Sequence, residues 1–138
     1  MARVSTYNPA KVTVTLKNHS VSGFADDSFV EIEPISDGVE SQAGADGEVI
    51  RSVDPDSRWT VKLTLQQTSK TNKWLRNMYE KDKKNGTGIF PLKIKDGMGK
   101  EQFKASKAWV KKPSSWKRGK KAGTMEWEIE CVGELSYY

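Results

Sequence analysis

The chain has 138 residues, the size of one domain, with 36% hydrophobic residues, a net charge of +5 and one cysteine. One cysteine excludes an intrachain disulfide, and with one histidine it argues against a structural zinc site. Residues 1–10 lack the apolar core of a signal peptide, and no stretch reaches the ~18 apolar residues of a membrane span. We therefore expect a single domain over residues 1–138, made in a cytoplasm, with no membrane anchor and no cofactor.

Apolar and polar residues alternate with the period of two that is typical of β-strands. The pattern is clearest in one segment and recurs in five others: 59–66, and 12–17, 29–33, 90–95, 103–109 and 125–131. Gly133 interrupts the last strand and is expected to mark a β-bulge. The sequence therefore predicts a mainly β protein.

One α-helix is predicted over about residues 69–84. Thr68 or Ser69 caps its N-terminus, and Asn85-Gly86 supplies the left-handed stop. The apolar residues of this segment fall on one stripe: Trp74, Leu75, Met78 and Tyr79. We expect the stripe to pack on a sheet or on the mouth of a barrel.

Two long segments lack these periodicities and are predicted to be irregular loops. Residues 35–57 are acidic and contain several glycines, whereas residues 112–123 are basic around Trp116. Loops of this length in a small β domain are usually functional or disordered. Opposite charges on two parts of one chain suit the self-association of identical subunits.

The residues that usually perform catalysis do not form a recognisable constellation here. His19 lies in a turn and is expected to be solvated, and Cys131 continues an apolar strand face as a buried structural thiol. Residues 44–47 resemble a phosphate loop only in their glycines, since the lysine and the following helix are missing. A ladder of glutamates is more typical of a solvated face than of a hydrolytic pair: Glu126, Glu128 and Glu130. We therefore expect no enzymatic activity.

The basic segment 112–123 suggests an alternative function. Trp116 lies among six cationic residues, Lys111, Lys112, Lys117, Arg118, Lys120 and Lys121, which is typical of a stacking residue in a nucleic-acid-binding loop. The competing interpretation is a loop that docks on an acidic patch of another protein. A small β-barrel nucleic-acid-binding module therefore stays open beside an assembling subunit.

Several short motifs follow one another in order along nearly the whole chain. They are VSTYNP (4–9), VTV (12–14), VSGFAD (21–26), GADGE (44–48) followed by Arg51, LTLQQTS (63–69) running into Asn72, PLKIKDG (91–97) and AWVKKP (108–113). No single motif is diagnostic, but their joint order resembles the tail tube proteins of contractile-tailed bacteriophages.

This resemblance implies a β-sandwich or a partly closed β-barrel with one flanking helix. It also implies that six subunits close a ring and that rings stack into a virion tail tube through which DNA passes, assembled in the host cytoplasm. The implied partners are the tail sheath protein, the tape-measure protein, and the tail initiator and terminator proteins. The inner tube of a phage-derived contractile injection system would share the fold and is a second alternative.

A tube that conducts DNA needs a wall that does not bind phosphates, and fixed negative charge repels them at short range. The candidates for the lumen are two acidic strand faces: Glu31 and Glu33, and Glu126, Glu128 and Glu130. The alternative for these glutamates is pairing with lysine strands of neighbouring subunits. Candidates for contacts between rings or with the sheath lie in the two long loops: Asp46, Glu48, Arg51, Asp54, Trp116, Lys117, Arg118, Lys120 and Lys121.

Overall fold

The structure is a computed structural model that describes residues 2–26 and 29–138. Its main element is an antiparallel sheet of seven strands: β1 (Val12–Leu16), β2 (His19–Ser20), β3 (Val30–Pro34), β6 (Arg58–Gln66), β7 (Phe90–Asp96), β8 (Glu101–Lys112) and β9 (Thr124–Tyr137). The strands lie in the order β2-β1-β7-β8-β9-β6-β3. Strands β4 (Val39–Ala43) and β5 (Val49–Val53) form a separate hairpin, and helix α1 (Lys70–Asn85) connects β6 to β7. A short 3-10 helix, Pro9–Lys11, precedes β1.

The sheet curls around its own apolar face, because alternate residues of the strands are apolar and buried. Five strands contribute to one core: Val14 and Leu16 of β1, Val61, Leu63 and Leu65 of β6, Phe90, Leu92 and Ile94 of β7, Phe103, Ala105, Ala108 and Val110 of β8, and Trp127, Ile129 and Cys131 of β9. Strands β1 and β3 lie far apart in the strand order, yet Val12 and Ile32 line the same groove of about 450 Å³. The fold is therefore a partly closed barrel, and the predicted fold class is confirmed.

Helix α1 begins and ends within one residue of its predicted bounds. The Ser69 side chain accepts a hydrogen bond from the backbone N–H of Thr71 at 3.2 Å, and Gly86 ends the helix in the left-handed conformation with φ of 71°. The predicted stripe faces the barrel core: Leu75 and Met78 are buried, and Trp74 and Tyr79 pack against the core half-buried. No described helix is long and apolar enough to cross a membrane.

Residues 35–57 were predicted to be an irregular loop, and this prediction was wrong. Strands β4 and β5 pair in register from Val39 opposite Val53 to Ala43 opposite Val49. Every residue of the two strands is exposed, so the hairpin needs no alternation of buried and exposed residues. The sequence pattern that predicts half-buried strands is therefore absent from it. Residues 113–123 connect β8 to β9 without helix or strand.

A β-bulge lies beside Gly133, but the extra residue belongs to the neighbouring strand. The pairing of β8 with β9 shifts between Ala105 and Lys107, which makes Ser106 the additional residue. Gly133 lies opposite Ala105, where a Cβ atom would come within 2.6 Å of the Lys104 carbonyl oxygen. Glycine is needed here because the two backbones approach closely.

Candidate assembly surfaces

The two predicted acidic sets lie on one surface, because β3, β6 and β9 are neighbours in the sheet. In the strand register, Lys62 of β6 lies between Glu31 of β3 and Glu128 of β9. Side chains that point away from the core on these strands therefore form one outward surface. We call this surface the glutamate face, and its acidic members are Glu31, Glu33, Glu126, Glu128 and Glu130.

The cations of the glutamate face neutralise it only in part. Lys62 Nζ lies 3.9 Å from Glu128 Oε1, and Arg58 lies 3.9 Å from Glu130 Oε1. Both pairs are partly exposed and long, so each contributes little to stability. Arg58 binds Asp56 more closely, at 2.8 Å, and hydrogen bonding to that carboxylate is the main reason why the pKa of Arg58 is raised. Lys112 of β8 is the third cation at this surface, opposite Glu128. Five carboxylates thus outnumber three cations.

The outward surface of β7 and β8 carries the opposite charge. Lys93 of β7 is directly opposite Lys104 of β8, and Lys107 follows on the same strand. The nearest acid in this register is Glu134, opposite Lys104. The outside of the barrel is therefore divided into an acidic part on β3, β6 and β9 and a basic part on β7 and β8.

The hairpin projects from the barrel as an arm, which we define as residues 36–56. Its base is held by hydrogen bonds: Ser36 Oγ donates to Asp54 Oδ2 at 2.6 Å, and the backbone N–H of Asp54 donates to the Gly38 carbonyl at 2.7 Å. The hydrogen bond from Ser36, followed by that from the backbone N–H of Asp56, lowers the pKa of Asp54. The Asp54 carboxylate is therefore charged at neutral pH and accepts these hydrogen bonds at the base of the arm.

The arm exposes apolar side chains that a monomer leaves in water. Val39, Val49, Ile50 and Val53 are 46%, 63%, 59% and 71% exposed. An isolated two-stranded hairpin is marginally stable in water at best. The arm carries all three acidic candidates for subunit contacts, Asp46, Glu48 and Asp54, together with the cationic candidate Arg51. We therefore consider the arm an interaction element.

The basic loop, residues 113–123, is anchored at both of its ends. Gln67 binds Gly123 through two hydrogen bonds, at 3.1 Å and 3.2 Å, and Ser114 Oγ accepts from the backbone N–H of Glu126 at 3.1 Å. The guanidinium of Arg118 lies over the ring of Trp116, 4.2 Å from its centroid. The loop therefore presents a stacked cation and aromatic ring, and Trp116 remains 69% exposed.

A pocket of about 550 Å³ lies between this loop and the first half of α1. Its apolar lining includes Met125 and Trp127, and its cations are Lys73, Arg76 and Arg118. We call it the cationic pocket. Of the predicted contact residues, the structure brings Trp116 and Arg118 together here, whereas Lys117, Lys120 and Lys121 are exposed elsewhere on the loop.

Sequence reasoning missed the polar contacts that hold α1 against the sheet. Asn72 accepts a hydrogen bond from the Trp127 indole at 2.9 Å and donates one to the Gln66 carbonyl at 2.9 Å. His19 was predicted to be a solvated turn residue, which was wrong. Its Nε2 atom lies 2.8 Å from Thr71 Oγ1, in a part of the structure that is half-buried. Asn72 and Trp127, and likewise His19 and Thr71, are more than fifty residues apart along the chain, so no local pattern indicates these two contacts.

The fold and these surfaces together are those of a subunit that assembles with copies of itself. They describe a small barrel with an open seam, a projecting arm and surfaces of opposite charge, which suits a subunit of an assembly. The sequence model of a family described as Bacteriophage PhiTE tail tube protein matches residues 5–135. The chain belongs to this family. It is a structural component of the phage virion tail.

One curated relative supports the same conclusion. The chain is 28% identical over 138 residues to structural protein ORF10 of Pseudomonas phage KPP10, and the match covers 94% of this chain and 80% of that protein. Both comparisons agree with the resemblance noted from the sequence motifs, which is therefore confirmed.

Solved structures similar to this one come from contractile systems. The anti-feeding prophage cap, which terminates a tube, aligns with a TM-score of 0.63 and 10% identity over 100% of this chain and 95% of that chain. A chain of the sheath-tube complex of PVC, an extracellular contractile injection system, aligns with a TM-score of 0.58 and 10% identity over 96% and 93%. The PVC sheath/tube terminator aligns with a TM-score of 0.61 and 9% identity over 98% and 99%. At these identities the likeness concerns the fold.

Proposed function

We propose that this tail tube protein closes rings of six copies, which stack into a hollow tube inside a contractile sheath. The observation that carries the proposal is the position of the two charged elements along β6. The acidic arm joins β6 at Arg58, and the basic loop contacts the chain just after its other end, at Gln67. Nine strand residues span roughly 30 Å. The two elements therefore lie at opposite ends of the subunit.

Surfaces of opposite charge at opposite ends favour head-to-tail stacking. A contact of this kind joins different surfaces of two copies and continues indefinitely if it does not close on itself. It therefore builds a filament with a single polarity. The acidic charge of the arm and the basic charge of the loop disfavour the reversed orientation, because like charges would then meet.

Ring closure is supported by the open seam of the barrel. Strand β3 is the last strand of the sheet, so one of its sides has no partner strand among the residues described. Its inward residues Val30 and Ile32 line the groove between β3 and β1. A free edge beside an apolar groove promotes aggregation unless another strand covers it. In a ring, a strand of the neighbouring subunit takes this place.

We place the glutamate face at the lumen. This surface reaches the free edge of β3, where we propose that the neighbouring subunit binds. Its carboxylates repel DNA phosphates over about a Debye length, which lets DNA slide without sequence-specific binding. The alternative is that the glutamates pair with the lysines of β7 and β8 in a neighbour. A structure of the assembled tube decides between them. Glutamates buried against lysines of a neighbour would support the alternative, and an inner wall lined by the lysine strands, with both glutamate sets elsewhere, would contradict our placement.

The remaining partners follow from the place of such a tube in a contractile tail. The similar chains from a sheath-tube complex and from tube terminators support a sheath outside the tube and a terminator at its end. We extend the proposal to a tape-measure protein inside the tube during assembly, to an initiator at its base, and to assembly in the host cytoplasm. The inner tube of a phage-derived injection system also needs stacked rings inside a sheath, so the structure of a single subunit would be the same in both cases.

Negative-stain imaging of the purified protein across a concentration series tests the proposal. We expect hollow rings with sixfold symmetry that stack into tubes as the concentration rises. A protein that stays monomeric at high concentration and moderate salt would contradict it, as would solid filaments without a lumen. The stacked Trp116 and Arg118 favour one other candidate, a nucleic-acid-binding module. A monomer that retards a single-stranded DNA oligomer would indicate that function instead.

A further inference from the structure

We propose that the cationic pocket is the receptor for the acidic tip of the arm of a second copy of this chain. The inference rests on the proposed head-to-tail stacking and names the site that performs it. The pocket lies at the end of the subunit opposite to the base of the arm. Every strand residue of the arm is exposed, so the arm does not occupy the pocket of its own chain.

The pocket offers positive charge beside an apolar surface. None of the ion pairs between described residues involves Lys73 or Arg118, whereas Arg76 is engaged with Glu80 at 3.0 Å. Two cations therefore remain available for carboxylates. Met125 and the exposed Trp116 ring provide apolar contact next to them. A volume of about 550 Å³ is in the range of pockets that enclose a ligand.

The tip of the arm offers the complementary chemistry in a fixed shape. The backbone N–H of Gly44 donates to the Glu48 carbonyl at 2.8 Å, and the N–H of Glu48 donates to Asp46 Oδ1 at 3.1 Å. The turn is thus formed before any partner binds, which lowers the entropy cost of docking. Glu48 takes part in no ion pair of the described residues, and exposed Val49 and Ile50 follow it.

The local geometry favours a protein segment over a nucleic acid as the occupant. One face of the Trp116 ring is already covered by the Arg118 guanidinium, which leaves a single face for a stacking base. The arm supplies carboxylates together with apolar side chains, and the pocket has partners for both. A phosphate chain would use the cations and leave the partly exposed Met125 without an apolar partner.

Heterotypic disulfide formation tests which surfaces meet. Ala45→Cys places a thiol at the tip of the arm, and Ser115→Cys places one next to the pocket residues Ser114 and Trp116. The native Cys131 is buried, so it does not compete. We expect the two variants, mixed under mild oxidant, to form a cross-linked heterodimer. Ala45→Cys mixed with Lys83→Cys, at the far end of α1, is the matched control and should not cross-link.

Charge reversal tests the energetic role of the same contact. Arg118→Glu should raise the concentration needed for tube formation by at least about tenfold, or ~1.4 kcal/mol. Lys83→Glu changes the net charge equally but lies outside the pocket, so it should leave that concentration unchanged. Adding Glu48→Lys to Arg118→Glu should restore much of the loss.

The outcomes separate this inference from the proposed function. Two results would overturn the arm–pocket contact and leave the tube function unaffected. In one, the protein forms tubes but Ala45→Cys and Ser115→Cys do not cross-link; in the other, Arg118→Glu does not change the concentration needed for tube formation. A disulfide that forms in a protein unable to build tubes supports the contact and refutes the tube function. Single-stranded DNA binding that is lost with Arg118→Glu, while tube formation is unchanged, assigns the pocket to nucleic acid and overturns the inference.

Discussion

Replacing Asn72 by alanine tests how the helix is joined to the barrel. Its side chain bridges two elements, since it accepts a hydrogen bond from the indole N–H of Trp127 and donates one to the Gln66 carbonyl, each at 2.9 Å. Trp127 lies near the start of β9 and is 1% exposed, so water does not replace the lost acceptor. The Gln66 carbonyl keeps a second hydrogen bond, from the backbone N–H of Ser69 at 3.0 Å.

The cost is the sum of these two unequal losses. A buried donor left without an acceptor costs about 1–3 kcal/mol, and the loss of the second hydrogen bond costs about 0.5–1.5 kcal/mol. Alanine is a better helix former than asparagine by up to ~0.7 kcal/mol, which opposes them. We therefore expect Asn72→Ala to lower the free energy of unfolding by roughly 1–4 kcal/mol. Asn77→Ala, on the exposed side of the same helix, should change it by less than ~0.5 kcal/mol.

A double-mutant cycle separates the hydrogen bond from other effects of the substitution. Unfolding in urea is followed by circular dichroism at a concentration below that of self-association, because assembly would add to the apparent stability. Trp127→Phe removes the indole donor, so Asn72→Ala should cost about 1–2 kcal/mol less in that background. Equal costs in the two backgrounds would refute the proposed role of the bond.

Three further predictions concern single positions in the core and the sheet. Leu75→Ala should lower the free energy of unfolding by about 2.7–5 kcal/mol in urea titrations, since Leu75 is fully buried; an unchanged midpoint would contradict its packing. Gly133→Ala should shift the same titration strongly, because the added Cβ would lie 2.6 Å from a β8 carbonyl oxygen, whereas Gly119→Ala meets no atom within 4 Å and should be neutral. Burial raises the pKa of Cys131 to about 11, so the native protein should react with a thiol reagent at pH 8 far more slowly than the urea-unfolded protein; equal rates would show that the thiol is accessible.

The strands and the helix that bury an apolar face were predictable from the sequence. The alternation in β6 and the apolar stripe of α1 indicate directly which side chains are buried. The N-cap at Ser69 and the left-handed Gly86 indicate where the helix begins and ends. The ends of β9 were not predictable, because pairing with β8 continues to Tyr137 beyond the buried part of the strand. Backbone pairing alone leaves no trace in hydrophobic periodicity.

The sequence indicates which residues belong to the candidate surfaces, but it does not indicate which of them lie next to one another in the fold. The two glutamate sets are visible in the sequence, yet only the register of β3 and β9 on either side of β6 places them on one face. The cationic pocket combines residues of α1 with residues of the basic loop and β9, which follow roughly 40 to 55 residues later in the chain. Contacts of this kind depend on the topology of the sheet, for which a single sequence carries no local signal.

The basic net charge of the chain is compatible with an acidic tube wall, because screening makes the wall a local property. Charges further than about 8–10 Å away are largely screened at physiological salt. The excess of cations lies on α1, on the basic loop and on β7 and β8, whereas the glutamate face has five carboxylates against three cations. DNA next to that face would respond to the carboxylates and not to the total of +5.

If the surface of β7 and β8 lined the lumen instead, Lys93, Lys104 and Lys107 would hold the phosphates by counterion release and slow the passage of DNA. Acidic and basic residues thus lie on different parts of the subunit. The carboxylates keep DNA from binding to the proposed lumen, and the cations lie at the outside and the ends, where contacts with the sheath and with the next ring are needed.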